Sequence, residues 1–498
     1  MGASLSYCTQ NFLPPVCSLW SLNGNTVLSA GMSRLRSECG AALGALALCL
    51  FVVLMFLQAS DQPQQAPLLL SRPGRGAAPQ NFQDVPLIRS PAAADVVPPA
   101  RKGVAAGRGI AIGTNSRGKH ALLLAFEKPL QHAPQPWIMT GADENAGEGS
   151  DKRADAKIKA SFRGSYEGGV RSFDTASHYR GQQCERMLAE GLEGYPRESY
   201  IITTKCGSAP KDQKSGLKAS LVVAEWSRTY NFSLQDDVYM VPSTRQRWSL
   251  HPEYLRAQLD TSLRNLRTDY VDVMLLHSLS KYPQGTGKLA WNDVLGLLAP
   301  TFEYMETERK RGRIRLYGFS NPTTQYDSAG VFADPDAAWS VQLEALVTIA
   351  KASAARAGTV SMDHGFRVVM AACNEAQPAC LTKMSQVVEG EKMSLVQAVR
   401  RLGLHLMSLS ATAQATLATS SCTKAALRAM GWSLTDRTAA VSSSLQVTRS
   451  MIASAGSASA TVCHTTPSHL ASNLRVAQQR LLSAIELESC LGMPVFPG

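Results

Sequence analysis

The eleven cysteines of this 498-residue chain form no CxxC pair and follow no regular spacing. That absence argues against a zinc site and against a small disulfide-built scaffold. Cys8, Cys17, Cys39 and Cys49 precede or lie in a hydrophobic N-terminal segment, and the other cysteines read as reduced, mostly structural thiols. Lysine and arginine exceed aspartate and glutamate by 50 to 39, giving a net charge of +11, yet no long basic run accompanies that excess. The densest cluster, Glu308 to Arg315 (ERKRGRIR), reads as a helix end running into a strand, where cations complement the helix dipole. Nucleic acid is therefore not an expected partner, and no metal ligand set stands out. No GxGxxG follows the first strand-like run, which leaves a Rossmann reading without support. With 45% hydrophobic and 18% charged residues the chain is nonetheless globular in composition.

One long hydrophobic run is present, Ala41 to Gln58, preceded by Arg34 and Arg36. Read as an anchor, it keeps the N-terminus cytoplasmic and places the rest of the chain across a membrane. Read from Met32, the same stretch forms a signal peptide cleaved after Ala59, with delivery to the secretory-route lumen or, through it, to a plastid. Both readings stay open. The resulting segmentation is a leader at 1–40, the hydrophobic segment at 41–58, an Ala/Pro/Arg-rich linker or transit peptide at 59–107, a folded domain at 108–487 and a tail at 488–498. Asn231-Phe232-Ser233 is a lone glycosylation sequon, weak evidence for lumenal passage.

From residue 109 onward, short β-rich runs alternate with amphipathic helical patterns. The runs are 109–114, 169–174, 199–205, 270–277, 314–321, 366–374, 404–410 and 459–464, eight in all, the number that closes a parallel α/β barrel. Between them, Leu255, Leu259, Leu263 and Leu266 make a core-facing helical stripe behind His251-Pro252, and residues 469–488 read as one long closing helix. Residues 127–150 and 206–247 read as insertions that follow barrel strands, and 416–455 is longer than its connecting role requires.

In such a barrel the reactive groups sit where strands end. Asp174, Lys205 and His277 are the last residues of the second, third and fourth runs, and Tyr179 lies in the loop after the second. Singly, each has an ordinary explanation: a capping acid, a solvated lysine, a hydrogen-bonded histidine, a tyrosine covering apolar surface. All four at matching strand ends are harder to explain that way.

The blocks carrying these residues, GVRSFDTASHYRGQQCERMLAEGLEG, IITTK, LRAQLDTSLRNLRTDYVDVMLLH and GRIRLYGFSN, resemble the aldo-keto reductase family in content and order. The resemblance is strong over 157–322 and continues more weakly to about 487. It implies a (β/α)8 TIM barrel that uses NADP(H), or alternatively NAD(H), to reduce a small aldehyde or ketone or to oxidise the corresponding alcohol. It implies that Tyr179 donates the proton, Lys205 favours the phenolate, Asp174 holds Lys205, and His277 orients the carbonyl. It leaves His178 as a pocket-wall residue. On the cofactor side it implies Gly113, Thr114, Asp174, Ser320, Asn321, His469 and Asn473. Several positions depart from the pattern: Met370 replaces the usual glutamine with Asn374 nearby, Ser408 or Ser410 falls where an aromatic is common, and Thr465 and Ser472 replace charged residues. Arg475 is an alternative phosphate partner. The same departures also suit a nicotinamide-binding regulatory subunit with little turnover.

Overall fold

The computed structural model describes residues 137–141, 152–240, 246–279, 291–321, 330–337, 340–463 and 466–492, all within the larger of two compact units, Arg101–Gly498. The hydrophobic segment 41–58 and the linker 59–107 lie outside the described residues, among which no helix is long and apolar enough to cross a membrane.

Eight parallel strands close a barrel: β1 (Trp137–Gly141), β2 (Ser172–Asp174), β3 (Ile201–Cys206), β4 (Val271–His277), β5 (Ile314–Asn321), β6 (Phe366–Ala372), β7 (His405–Leu409) and β8 (Ala458–Val462), each paired with its neighbours in chain order and β8 with β1. Helices separate them: α1 (Lys152–Glu167), α2 (Gln183–Gly191), α3 (Ala219–Tyr230), α4 (Pro252–Leu266), α5 (Trp291–Lys310), α6 (Leu343–Arg356), α7 (Leu395–Arg401), α8 (Ser421–Ala429), α9 (Arg437–Ile452), α10 (Pro467–Ala477) and α11 (Ala484–Leu491).

Seven strands fall where the alternation places them; the first does not. Residues 109–114, expected to open the barrel, lie outside the described residues, and their position is taken by β1, paired to β8 from Trp137↔Ser459 to Thr140↔Val462 and to β2 at Gly141↔Asp174. Residues 127–150 therefore contain a barrel strand rather than forming an insertion beyond one. WIMTG serves because Met139 joins the barrel interior, while Gly141 leaves room for Thr461, whose Cγ2 would lie 2.9 Å from an added Cβ.

The period of two along each strand sorts side chains into two layers. Met139, Ile201, Val273, Leu275, Leu316, Val368, Met370 and Met407 form one cluster made only of strand residues, the filled barrel interior. Their neighbours Ile202, Met274, Leu276, Tyr317, Phe319 and Leu406 belong to the outer core with Leu188, Leu255, Leu259, Phe302 and Leu346 of the helices. The α4 stripe is wholly buried, each leucine contributing about 1.5–3 kcal/mol, and His251 caps the helix by accepting from Glu253 N at 3.3 Å. At Gly318 an added Cβ would lie 1.7 Å from the Val368 carbonyl oxygen, so only glycine permits the β5–β6 register shift there.

The closing helix is two helices. Residues 478–483 leave the helical path because α9 satisfies their backbone: Gln446 donates to the Arg480 carbonyl and Ser450 Oγ accepts from Leu482 N at 2.9 Å. A Ser483–Glu486 capping box then starts α11, which runs past residue 487 to Leu491.

The cysteines also depart from expectation. Cys373 is bridged to Cys380, and Cys422 of α8 to Cys490 of α11, so four of these thiols are oxidised rather than reduced. The second bridge joins residues 68 apart in sequence with Cα atoms 4.8 Å apart. Replacing both partners, Cys422→Ser with Cys490→Ser, is expected to lower unfolding free energy by about 2–5 kcal/mol. An unchanged denaturation midpoint would show that α8 and α11 gain nothing from the bridge.

His405 lies at the base of the barrel, with Nδ1 and Nε2 at 2.9 and 3.0 Å from the hydroxyls of Ser457 and Ser459. Burial pushes its pKa down to about 3. An unfolded histidine titrates near 6.5, so below that pH the unfolded chain binds a proton that the fold refuses. The stabilisation is complete above about pH 6.5 and is lost progressively towards pH 3, amounting to about 2 kcal/mol by pH 5 at ~1.4 kcal/mol per unit. Urea titrations at the two pH values should show this loss, and His405→Gln should remove it.

Candidate active site

The parity that fills the barrel interior lower down delivers polar groups at the top. Lys205 follows Ile201 by four residues and His277 follows Val273 by four, so both point inward, as do Asp174 two residues after Ser172 and Ser320 four after Leu316. Adjacent strand ends align through Lys205↔Leu275, His277↔Ser320 and Ser320↔Met370.

Lys205 Nζ is the centre of the site. It donates to both carboxylate oxygens of Asp174 at 2.8 Å and to the Thr175 carbonyl at 2.9 Å, and only 1% of the residue is exposed. Burial raises the Asp174 carboxyl above its ordinary range, and the adjacent ammonium pulls it back. The ring centroid of Tyr179 lies 4.8 Å from Lys205 Nζ. The Tyr179 loop turns through three successive left-handed residues, Arg180, Gly181 and Gln182, and is fixed by Arg180 donating to Asp155 of α1 at 2.6 Å and Gln182 donating to the Lys211 carbonyl at 3.2 Å. His178 and Tyr179 meet edge to face at 4.8 Å, and His178 lies against His277 at 4.5 Å, with Tyr179 6.1 Å from His277. The structure thus brings Asp174, Tyr179, Lys205 and His277 to one mouth, with His178 in the wall.

The wall includes a residue that sequence reasoning missed. Trp248 lies 5.8 Å from His277 and is 3% exposed. It belongs to a two-residue strand paired with Tyr239–Met240 inside the 206–247 insertion and its exit. The neck of that insertion is closed by Ala209 N donating to the Arg247 carbonyl at 2.8 Å and Ser249 N to the Gly207 carbonyl at 2.9 Å. Gln258 of α4 was also missed: its amide oxygen accepts from Gly207 N at 2.7 Å, and its amide nitrogen donates to Ser208 O at 2.7 Å and Ser177 Oγ at 2.6 Å, so one side chain ties together the exits of β2 and β3. Its signal was a polar residue beside Leu255 and Leu259 in an apolar stripe.

On the opposite side of the mouth, Ser320 and Asn321 end β5, 1% and 0% exposed. Gly330, at φ +86°, lies under Asn321, whose amide nitrogen would be 2.2 Å from an added Cβ. Met370 faces the barrel interior, so the sixth-strand position carries apolar filling. Asn374 is committed to its own turn, accepting from Ala376 N and Gln377 N at 3.0 and 3.1 Å and donating to Ser410 O at 3.0 Å, while Ser408 donates to Cys373 O at 2.8 Å. His469 lies in the first turn of α10, its N–H donated to Thr466 Oγ1 at 3.2 Å, and Asn473 is buried further along that helix. Arg475 stacks on Trp432 at 4.5 Å. Gly113, Thr114 and Thr465 lie outside the described residues; the first-strand end is formed by Thr140 and Gly141.

A (β/α)8 barrel with a buried lysine–aspartate pair, a phenol and an imidazole at its strand C-terminal ends is the architecture of a small-molecule enzyme site. Residues 138–329 match the family model described as Aldo/keto reductase family, and the chain is similar to that family through this segment. It is 26% identical over 176 residues to D-threo-aldose 1-dehydrogenase of a Pseudomonas species, covering 34% of this chain and 45% of that protein. It is 23% identical over 163 residues to L-galactose dehydrogenase of Arabidopsis thaliana, covering 32% and 37%. The matches thus span less than half the length of these relatives. Among solved structures, a thermostable aldo-keto reductase in complex with the inhibitor epalrestat is similar at 16% identity and TM-score 0.46, covering 72% of this chain and 94% of that one.

Proposed function

We propose that the chain is an NAD(P)-dependent oxidoreductase interconverting an aldehyde or ketone with its alcohol, NADPH being the expected reductant. The observation that carries this reading is Lys205 fixed between both Asp174 oxygens while facing the Tyr179 ring at 4.8 Å. The bound nicotinamide would supply a hydride to the carbonyl carbon; this chain's residues manage the oxygen. Tyr179 gives that oxygen a proton, and the Lys205 ammonium stabilises the phenolate left behind. Asp174 prevents the lysine from swinging away, which is a positioning role. His277 directs the oxygen towards the phenol and stabilises its growing negative charge. His178 and Trp248 exclude water and shape the substrate side.

The residues fit a nicotinamide. Ser320 and Asn321 form a buried polar pair beside the donor set, suited to its carboxamide, and glycine at 330 keeps Asn321 in place. The N-terminus of α10, with the exposed hydroxyls of Thr466 and Ser468, suits a phosphate at the cofactor tail, and His469 and Asn473 belong to the same helix. Arg475, turned onto Trp432, is not needed there. Residues 41–58 would bring the barrel to a membrane, as an anchor or as a cleaved signal.

The full chain should consume NADPH in the presence of a carbonyl panel that includes small aldehydes, ketones and aldoses. The aldoses are included because two relatives are named as sugar dehydrogenases. Nicotinamide binding without turnover of any member, in either direction, would sink the proposal.

A further inference from the structure

We infer that the barrel matures in the oxidising lumen of the secretory route and carries an N-linked glycan on Asn231. Neither statement depends on the proposed reaction. Two independent observations converge on it.

The first is the pairing of sulfurs. Of the seven cysteines among the described residues, four, Cys373, Cys380, Cys422 and Cys490, are bridged in two pairs. The two bridges lie in different parts of the fold, with Cα separations of 5.6 and 4.8 Å, both inside the range a disulfide requires. Cys373, Cys380 and Cys422 are fully buried, so the sulfurs are placed by packing rather than by a mobile surface loop. Thiols placed in this way stay reduced in a cytosol and become bridged in a secretory lumen.

The second is the setting of the sequon. Asn231 is the C-cap of α3, in the left-handed conformation at φ 55° and ψ 63°, and it is exposed. Phe232 is buried, 5.5 Å from Tyr254 between ring centroids, and its carbonyl accepts from Ser227 Oγ at 2.6 Å, which roots the turn. Buried Phe232 faces the core, so the exposed Asn231 is left on the solvent side of a fixed helix end, where a sugar chain displaces nothing. The site lies in the 206–247 insertion.

Each bridge forms by exchange with an oxidised dithiol carrier: two chain thiols lose two protons and two electrons, and the carrier's disulfide becomes two thiols. The glycan comes from a lipid-pyrophosphate-linked oligosaccharide. A bond forms from Asn231 Nδ2 to the anomeric carbon, the carbon–oxygen bond to the pyrophosphate breaks, and one amide proton is released.

The test uses the full chain expressed in eukaryotic cells. Digestion with peptide N-glycosidase should produce one downward mobility shift, absent from both Asn231→Gln and Ser233→Ala. Maleimide labelling of the denatured chain before reduction should leave Cys373, Cys380, Cys422 and Cys490 unlabelled, and peptide mapping should recover them as the two linked pairs. A wild-type chain that does not shift overturns the glycan. Labelling of any of the four cysteines without reductant overturns the lumenal assignment.

Discussion

Tyr179→Phe should lower carbonyl reduction by about 10²–10⁴-fold, the usual contribution of a positioned proton donor. The substitution removes one oxygen and leaves the ring, which is 9% exposed and faces Lys205 at 4.8 Å, so thermal unfolding and nicotinamide affinity should stay as they are in the parent. Loss confined to kcat, with an unchanged fluorescence titration of the nicotinamide, is the expected pattern. Retained turnover would move the proton donation elsewhere, with His277 or His178 as the neighbouring groups.

The second large effect is expected in Lys205→Met. Removing the ammonium leaves Asp174 buried without its partner, a situation that costs about 3–5 kcal/mol. Without its partner the carboxyl, already raised by burial, moves further up, so the destabilisation should shrink as pH falls and the acid is protonated. Adding Asp174→Asn removes the stranded charge and should recover most of the stability but none of the activity. That split separates the two jobs of the pair, because a purely structural lysine would recover both together. Chemical denaturation and single-turnover kinetics on the three variants read the two quantities independently.

The distribution of these residues explains what sequence alone could read. The second to eighth strands were legible because each is a short apolar run ending in a polar group and flanked by helical periodicity. The first was not, since 109–114 and 137–141 are both short apolar runs and local pattern cannot choose between them. The choice is made at long range, by Thr140↔Val462 and Gly141↔Asp174. The site quartet was legible because four chemical groups fall at equivalent strand ends. Trp248 was not, because its place beside His277 depends on how an insertion folds back. The bridges were hidden for the same reason: the separation of 7 residues means nothing until the turn after β6 folds back, nor that of 68 until α8 and α11 are packed together. Residues 478–483 look helical until the side chains of Gln446 and Ser450 are seen to occupy their backbone.

The closed neck of the 206–247 insertion makes that segment an exchangeable cassette. Its two ends are held by backbone hydrogen bonds at Ala209–Arg247 and Gly207–Ser249, and Gln258 clamps the base from α4. Lengthening or replacing what lies between therefore need not disturb Lys205, two residues before the clamped Gly207. A graft that retains residues 207–213, whose Lys211 carbonyl and Gln213 N–H hold the Tyr179 loop, together with residues 247–249, should keep the Asp174–Lys205–Tyr179 geometry and alter only which carbonyl compounds are accepted, readable as changed KM ratios across a substrate panel. Evolution can thus retune specificity at this mouth by swapping a module, without renegotiating the chemistry beneath it.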